Sequence, residues 1–379
     1  MSIPHVDVKA QYAPLLDELK ERLGRVLESG RFILGPEVKA FEEEAAAYLG
    51  AGETVGVANG TDALVLVLEA LGVGPGDEVI CPAFTFYATA EAISRVGATP
   101  VFCDIDPETL NLDPTDAARR VGERTKAILA VHLFGRPARL AELPAGLPVV
   151  EDAAQAFGAT VGERRAGSVG IAGTFSFFPT KNLFGLGDGG LVSTSDPALA
   201  ERIRLLRFHG SRDKERFEAV GMNSRLDELQ AAALRLFLGR LDEWNSARRG
   251  AAARYAELGL GELCEPPADE PGHVYHMYVL RSRERDRIAA ALREADIGCA
   301  TYYTTPLHLQ PVYASLGYAP GSLPETERAA RETIALPLWA GIGAAQQEEV
   351  VATIRAAIGP AAAEAGAPVA AEQLPRAFG

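Results

Sequence analysis

Cysteine is scarce in this chain: Cys81, Cys103, Cys264 and Cys299 are the only four in 379 residues, and no two form a CxxC pair. That spacing offers neither a disulfide framework nor a zinc site, and no metal site is expected. Three of the four lie in apolar contexts, so they read as buried free thiols of a reducing compartment. Long apolar runs are also missing. None approaches the roughly 18 residues that a membrane-crossing helix needs. Positive charge is in deficit, with 37 Lys and Arg against 51 Asp and Glu, a formal net charge of −14. This balance argues against nucleic acid or an anionic membrane as a partner. It leaves room for an anionic small substrate in a locally basic pocket. The first residues, Met1 to Asp7, show no basic region followed by an apolar core, so no secretory signal is expected and the expected location is cytoplasmic.

What is present is an ordinary globular composition, 47% hydrophobic and 23% charged, in a chain long enough for two domains. The stretch from Gly173 to Gly190 carries an apolar, strand-like run that breaks at Pro179. It then delivers one lysine, Lys181, into a glycine-rich loop before a second strand begins at Leu191-Val192. Such a lysine is either a solvated loop cation or a Schiff-base lysine, whose desolvated amine loses its proton readily and attacks an aldehyde. Upstream, the apolar Leu147 to Val150 ends in Glu151-Asp152-Ala-Ala-Gln155. A strand ending in an acid, followed by a lysine loop, is the pairing that pyridoxal 5′-phosphate needs. The lysine holds the aldehyde, and the carboxylate keeps the pyridine nitrogen protonated.

Taken in order, apolar spacing predicts helices over 15–29 and 37–49, then a strand at Thr54–Ala58, the turn Asn59-Gly60-Thr61-Asp62, and a helix over 63–71. A strand, small-residue turn and helix offer open N–H groups to a phosphate, though an ordinary helix cap accounts for the same residues. Further strands are expected at 76–82, 100–104, 126–132, 147–150, 173–178 and 190–194, with helices through Ile93 and over 113–121 and 198–207. The rhythm implies βαβ units and a mainly parallel sheet flanked by helices. Asn59 to Thr61, Phe84 to Phe86, Asp152 to Gln155 and Lys181 all follow strands, where ligands of such sheets bind. A long helix is expected from Arg225 to Leu241, continuing toward Tyr255. A smaller α+β unit then follows, with strands at 273–280 and 297–303 and helices at 285–295 and 350–358. The expected division is a large domain over 1–247, a small one over 248–358, and a weakly ordered tail over 359–379.

Ser176-Phe-Phe-Pro-Thr-Lys181-Asn182 with Gly187 to Gly190, Glu151 to Gln155, Asn59 to Ala63 and Gly221-Met-Asn223-Ser-Arg225 together resemble the DegT-type sugar aminotransferases. The likeness runs from about Val6 to Ile358 with the motifs in family order. It implies fold type I, with a seven-stranded large domain and a smaller C-terminal domain, and transamination of a keto-sugar carried on a nucleotide. Lys181 would bind the pyridoxal 5′-phosphate aldehyde and move protons, Asp152 would pair with the ring nitrogen, and Gln155 would meet the ring hydroxyl. Phe86 and Ala154 would cover the two ring faces, and Gly60, Thr61 and Ser176 would hold the phosphate. Asn223 would reach the phosphate in the neighbouring subunit of a homodimer with shared active sites. Arg225, Tyr303 and His308 would face the substrate, with a salt bridge to Asp227 or Glu228 as the alternative use of Arg225. The implied donor is L-glutamate, and the implied sugar is a UDP- or dTDP-linked 3-ketone. A keto-cyclitol aminotransferase, a same-fold dehydratase and a cofactor-binding regulator are the competing functions. The dehydratase branch typically has histidine in place of the lysine, and a regulator would be expected to lose Lys181, Asp152 or the phosphate loop.

Overall fold

The computed structural model describes residues 2–359. After α1 (Val8–Tyr12), α2 (Leu16–Ser29) and α3 (Pro36–Leu49), strands and helices alternate: β1 (Glu53–Val57), α4 (Gly60–Ala70), β2 (Glu78–Pro82), α5 (Ala88–Arg95), β3 (Thr99–Cys103), α6 (Pro114–Arg119), β4 (Thr125–Val131) and β5 (Val149–Asp152). A two-stranded ribbon, β6 (Thr160–Val161) with β7 (Arg164–Arg165), precedes β8 (Ala172–Ser176), β9 (Gly190–Thr194) and α7 (Pro197–Leu206). The central sheet has the order β1-β9-β8-β5-β4-β2-β3. Only β9 runs against its neighbours; every other pairing in the sheet is parallel. The carboxyl ends of β1, β2, β5 and β8 therefore open on the same edge, each followed by a segment expected at the site.

The strands are nearly continuous apolar runs because helices cover both faces. One face packs α4 and α5 through Leu64, Leu66, Leu68 and Ile93. The other buries Phe41, Phe157, Phe175, Phe177, Phe184 and Phe237. α8 (Glu228–Leu238) and α9 (Leu241–Glu257) lead to a second, smaller core. It is built from α9, β10 (Tyr278–Arg281), α10 (Arg285–Glu294), β11 (Thr333–Leu336) and α12 (Ala344–Ile358), with α11 (Pro324–Glu332) just ahead of β11. In α9, Leu241 and Trp244 join the aromatic core of the large sheet, while Ala251, Ala252 and Tyr255 join the smaller core. Ile3, at the other end of the chain, is buried there as well.

Several expected elements are corrected. The single helix over 225–241 is two helices: Asp227 caps α8 by accepting from the Gln230 N–H at 2.8 Å, and the chain breaks at Gly239-Arg240. Of the expected strand 273–280 only Tyr278–Leu280 pairs, within β10 and against β11. Residues 274–277 instead cross the 133–135 turn, where Val274 N–H donates to the Gly135 carbonyl at 3.0 Å and Met277 N–H to that of Phe134. The expected strand 297–303 makes only isolated bridges, Ile297 with Ile3 and Ala300 with Ala335. Burial supplied the apolar pattern in both segments without a strand partner. α11 and β11 were not anticipated. The expected tail lies, beyond Gly359, outside the described residues.

Candidate active site

β8 ends at Ser176, and the chain turns so that the Lys181 N–H donates to the Phe178 carbonyl at 2.9 Å. The loop is pinned from both sides. Phe177 N–H donates to Gly189 O and Gly185 N–H to Phe177 O. Phe184 stacks on Phe237 with centroids 4.7 Å apart. Asn182, next to the lysine, donates through its Nδ2 to Asn245 Oδ1 at 2.7 Å and to the Val274 carbonyl at 2.9 Å. A lysine on so constrained a loop is held by its backbone, and its side-chain amine has no hydrogen-bond or ion-pair partner among the described residues. Burial lowers its pKa from 10.5 to about 8, with the Asp152 carboxylate pulling the other way.

Asp152 ends β5 and is buried. Its Oδ1 accepts from the Ala154 N–H at 3.2 Å and its Oδ2 from the Thr89 hydroxyl at 3.0 Å. Burial raises its pKa, and those two donors together with Lys181 and His132 oppose the rise. Gln155 is fixed through its carbonyl oxygen, which accepts from Phe134 N–H at 2.6 Å, while its Nε2 donates to the Tyr303 hydroxyl at 3.3 Å. Tyr303 lies parallel to the Phe134 ring at 6.3 Å and edge-on to Phe84. Phe86 reaches Tyr303 at 6.5 Å and keeps 53% of its surface exposed. Asp152, Ala154, Gln155, Phe86, Tyr303 and Lys181 thus form one cluster.

The N-terminus of α4 completes it. Asn59 Oδ1 takes the Asp62 N–H at 2.8 Å and the Asn59 carbonyl takes the Ala63 N–H, which leaves the Gly60 and Thr61 N–H groups at a positive helix end with no acceptor among the described residues. A Cβ on Gly60 would lie 2.8 Å from the Ser176 Cβ, so this turn and Ser176 touch only because residue 60 is glycine. Gly190 permits a still closer approach to the Asn59 carbonyl oxygen. These open donors, a lysine whose proton is more readily lost than usual and a carboxylate across from it fit the phosphate, aldehyde and ring nitrogen of pyridoxal phosphate in turn.

Other expected residues stand apart. Asn223 is exposed, bridged by its backbone to Phe208, and Ser224 beside it accepts from the Ala58 N–H at 3.0 Å. Arg225 stands over the Phe208 ring at 5.8 Å and makes no ion pair among the described residues. The alternative pairing with Asp227 or Glu228 is not formed, because Asp227 caps α8 and Glu228 accepts from the N–H groups of Gly35, Glu37 and Val38. His308 is buried, with Nε2 3.3 Å from Glu327 Oε1 and the Tyr318 ring beside it. Its partners therefore lie outside the Lys181 cluster. Thr89, Gln155's partner Phe134, and Gly190 were missed as site-building residues. So was His276, which is buried with both ring nitrogens unpartnered and is driven neutral by burial and by nearby Lys181 and Arg248. For Thr89 the available signal was its four-residue spacing from Thr85 immediately after β2.

Comparison with known proteins agrees with this geometry. A family model described as the DegT/DnrJ/EryC1/StrS aminotransferase family matches residues 15–355. The chain belongs to that family. Among its DegT relatives, a Geobacillus stearothermophilus protein named a pleiotropic regulatory protein is 48% identical over 93% of this chain and 98% of its own length. The dTDP-3-amino-3,4,6-trideoxy-alpha-D-glucose transaminase of Streptomyces venezuelae is 44% identical over 93% of this chain and 95% of its own. The X-ray structure of S. venezuelae DesV in complex with a ketimine intermediate superposes with a TM-score of 0.90 at 44% identity, covering 93% of this chain and 98% of that one. This DegT-family chain is therefore an aminotransferase in sequence and fold.

Proposed function

We propose that the enzyme uses pyridoxal 5′-phosphate to move an amino group from L-glutamate to a keto-sugar carried on a nucleotide, most specifically a UDP- or dTDP-linked 3-ketone. The observation that carries this reading is the half-buried Lys181, its pKa lowered to about 8, facing Asp152. Gly60, Thr61 and Ser176 would hold the phosphate, Asp152 the proton on the ring nitrogen, Gln155 the ring hydroxyl, and Phe86 and Ala154 the two faces. Bound there, the cofactor supplies an electron sink for the carbon that loses its proton. The neutral Lys181 amine takes that proton from the donor and later returns one to the sugar ring carbon. Two half-reactions sharing one site give ping-pong kinetics.

The 3-keto assignment is supported by relatives named for 3-amino sugars on dTDP and on UDP, among them the Acidithiobacillus ferrooxidans UDP-N-acetyl-3-dehydro-alpha-D-glucosamine 3-aminotransferase at 43% identity. A homodimer is supported by exposed Phe32, Ile33, Leu34 and Leu186 gathered at the start of α8, where Ile33 pairs with Asp227 and Leu186 N–H donates to Gln230. Asn223, which is exposed, and Arg225, which makes no ion pair among the described residues, precede the same helix. Asn223 would reach the phosphate of the neighbouring subunit, Arg225 would meet an acidic substrate group, and Tyr303 would face the sugar. His308 stays in the substrate set only if Glu327 releases it. The proposed division at about residue 247 falls within α9, whose two halves feed different cores, and free thiols suit a cytoplasmic setting. A regulatory reading draws on two relatives named for regulation and sensory transduction. It has no need of Lys181 facing Asp152.

The test is an absorption spectrum of the protein loaded with pyridoxal phosphate. A band at the edge of the visible that moves to the near-ultraviolet with L-glutamate, and back with a 3-keto nucleotide sugar, supports the proposal. A loaded protein that no amino acid changes favours the regulatory reading. Turnover of 4-keto sugars alone removes the C3 assignment.

A further inference from the structure

Behind the Asp152 carboxylate stands a line of two hydroxyls that no part of the reaction scheme has used. Thr89, in α5, and Thr85, in the turn before it, are 1% and 2% exposed. Thr89 Oγ1 lies 3.0 Å from Asp152 Oδ2 and 3.2 Å from Thr85 Oγ1. An ionised carboxylate only accepts, so Thr89 must donate to Asp152, and its lone pair is then free to accept from Thr85. The direction of the line is set by the charge on Asp152. When Asp152 carries a proton, that proton can instead go to Thr89, and the line reverses. We propose that Thr89 is a positioning residue that holds the Asp152 carboxylate ionised and oriented toward the ring nitrogen of the cofactor, with Thr85 as the donor behind it.

The physical need for such a residue is plain. Asp152 is buried, and a buried carboxylate resists ionisation unless donors compensate it. One compensating donor is a local backbone N–H, that of Ala154; the other comes from Thr89, across the sheet edge. The remaining titratable groups that face Asp152 are Lys181 from the loop after β8, His132 from the end of β4, and Tyr303. Lys181, with its pKa lowered to about 8, gives up its charge as pH rises through that value, and in its neutral form it offers the carboxylate no counter-charge. Without Thr89 the carboxylate would keep a single neutral donor. It would then tend to take its own proton, when its task is to stabilise one on the ring. The inference rests on the pyridoxal phosphate reading for its purpose, while the hydroxyl line itself can be tested without cofactor.

The experiment compares Thr89→Val, Thr89→Ser and Thr85→Val with the parent enzyme. Valine keeps the shape and removes the hydroxyl; serine keeps the hydroxyl. The first readout is the Kd for pyridoxamine 5′-phosphate, which binds without a covalent bond to Lys181. Roughly a 10-fold rise is expected for Thr89→Val, a smaller rise for Thr85→Val, and a value within about 3-fold of the parent for Thr89→Ser. The second readout is thermal stability of the cofactor-free protein against pH. Folding raises the pKa of Asp152, so the folded chain holds its proton longer than the unfolded one, and stability falls as pH rises through that window. Loss of the Thr89 donor extends the window upward. The gap between Thr89→Val and the parent is expected to be small near the ordinary carboxylate pKa and to widen toward neutral pH. A gap that is the same at every pH, an unchanged Kd, or a serine variant as weak as valine would each overturn the proposal. If the parent protein fails to bind pyridoxamine phosphate while the pH-dependent gap is present, the cofactor reading has failed and the hydroxyl line has not; the purpose assigned to Thr89 then falls.

Discussion

In its proposed role Lys181 has to be neutral to attack or to accept a proton, yet an ammonium is the stable form of an exposed lysine at physiological pH. The fold reconciles the two by burial, which brings the pKa to about 8 against the pull of Asp152. This has a cost that cofactor-free protein reveals. Between about pH 8 and the ordinary lysine value, the folded chain binds fewer protons than the unfolded chain, so stability rises with pH across that window. Below pH 8 the folded state bears the full penalty of the charged amine, on the order of 3 kcal/mol for a shift of this size. Lys181→Met is therefore expected to stabilise the cofactor-free protein at pH 7 and to lose the advantage by about pH 10.5. Chemical denaturation of variant and parent at several pH values measures the difference. A constant difference would mean that the lysine is not desolvated. The same variant is expected to lose turnover and the visible-edge absorbance together.

Among the elements, α4 and the loop after β8 do most to shape the site. Gly60 opens α4 against Ser176, and an alanine there would push a methyl group into the Ser176 side chain. Gly60→Ala is expected to weaken pyridoxal 5′-phosphate binding by at least roughly 10-fold, because the phosphate donors move. Pyridoxal itself, lacking the phosphate, is the control whose affinity should change little; equal losses for both would place the damage elsewhere. On the lysine loop, Phe184 is buried and stacks on Phe237 and Trp244. Phe184→Ala should cost about 3–5 kcal/mol in stability and lower kcat more than cofactor affinity, since it frees the loop that carries Lys181 and spares the phosphate turn. Much of this scale could be read from the chain alone. Strands covered by helices on both faces are uninterrupted apolar runs, so β1, β2, β3, β4, β5, β8 and β9 stood out, and with them the residues at their ends. The smaller core was harder to read. Residues 273–277 and 297–303 are apolar because they are buried as crossing segments, and apolar content by itself does not show whether a backbone has a strand partner. Thr89 was hidden for another reason. A hydroxyl inside a helix looks the same whether it faces a methyl group or a carboxylate.

For the whole molecule, the surface left open by one copy of the chain is informative. Phe32, Ile33, Leu34 and Leu186 are exposed around the start of α8, and Asn223 and Arg225 enter the same region with no carboxylate partner among the described residues. An apolar surface edged by uncommitted polar groups suits a second copy that lends those groups to its neighbour's site. The proposed sharing makes a quantitative prediction. Lys181→Ala removes the proton carrier of one chain's own site, while Asn223→Asp sets a negative charge against the phosphate in its neighbour's. Each variant alone has no intact site. After unfolding and refolding an equal mixture, about half of the dimers are mixed. In a mixed dimer one site contains Lys181 from one chain and Asn223 from the other, and the second site contains both defects. Activity should therefore recover to about a quarter of the parent's. Mixing without subunit exchange should recover nothing. No recovery in refolded mixtures that sediment as dimers would mean that each active site is built from a single chain, with Asn223 serving its own subunit or none.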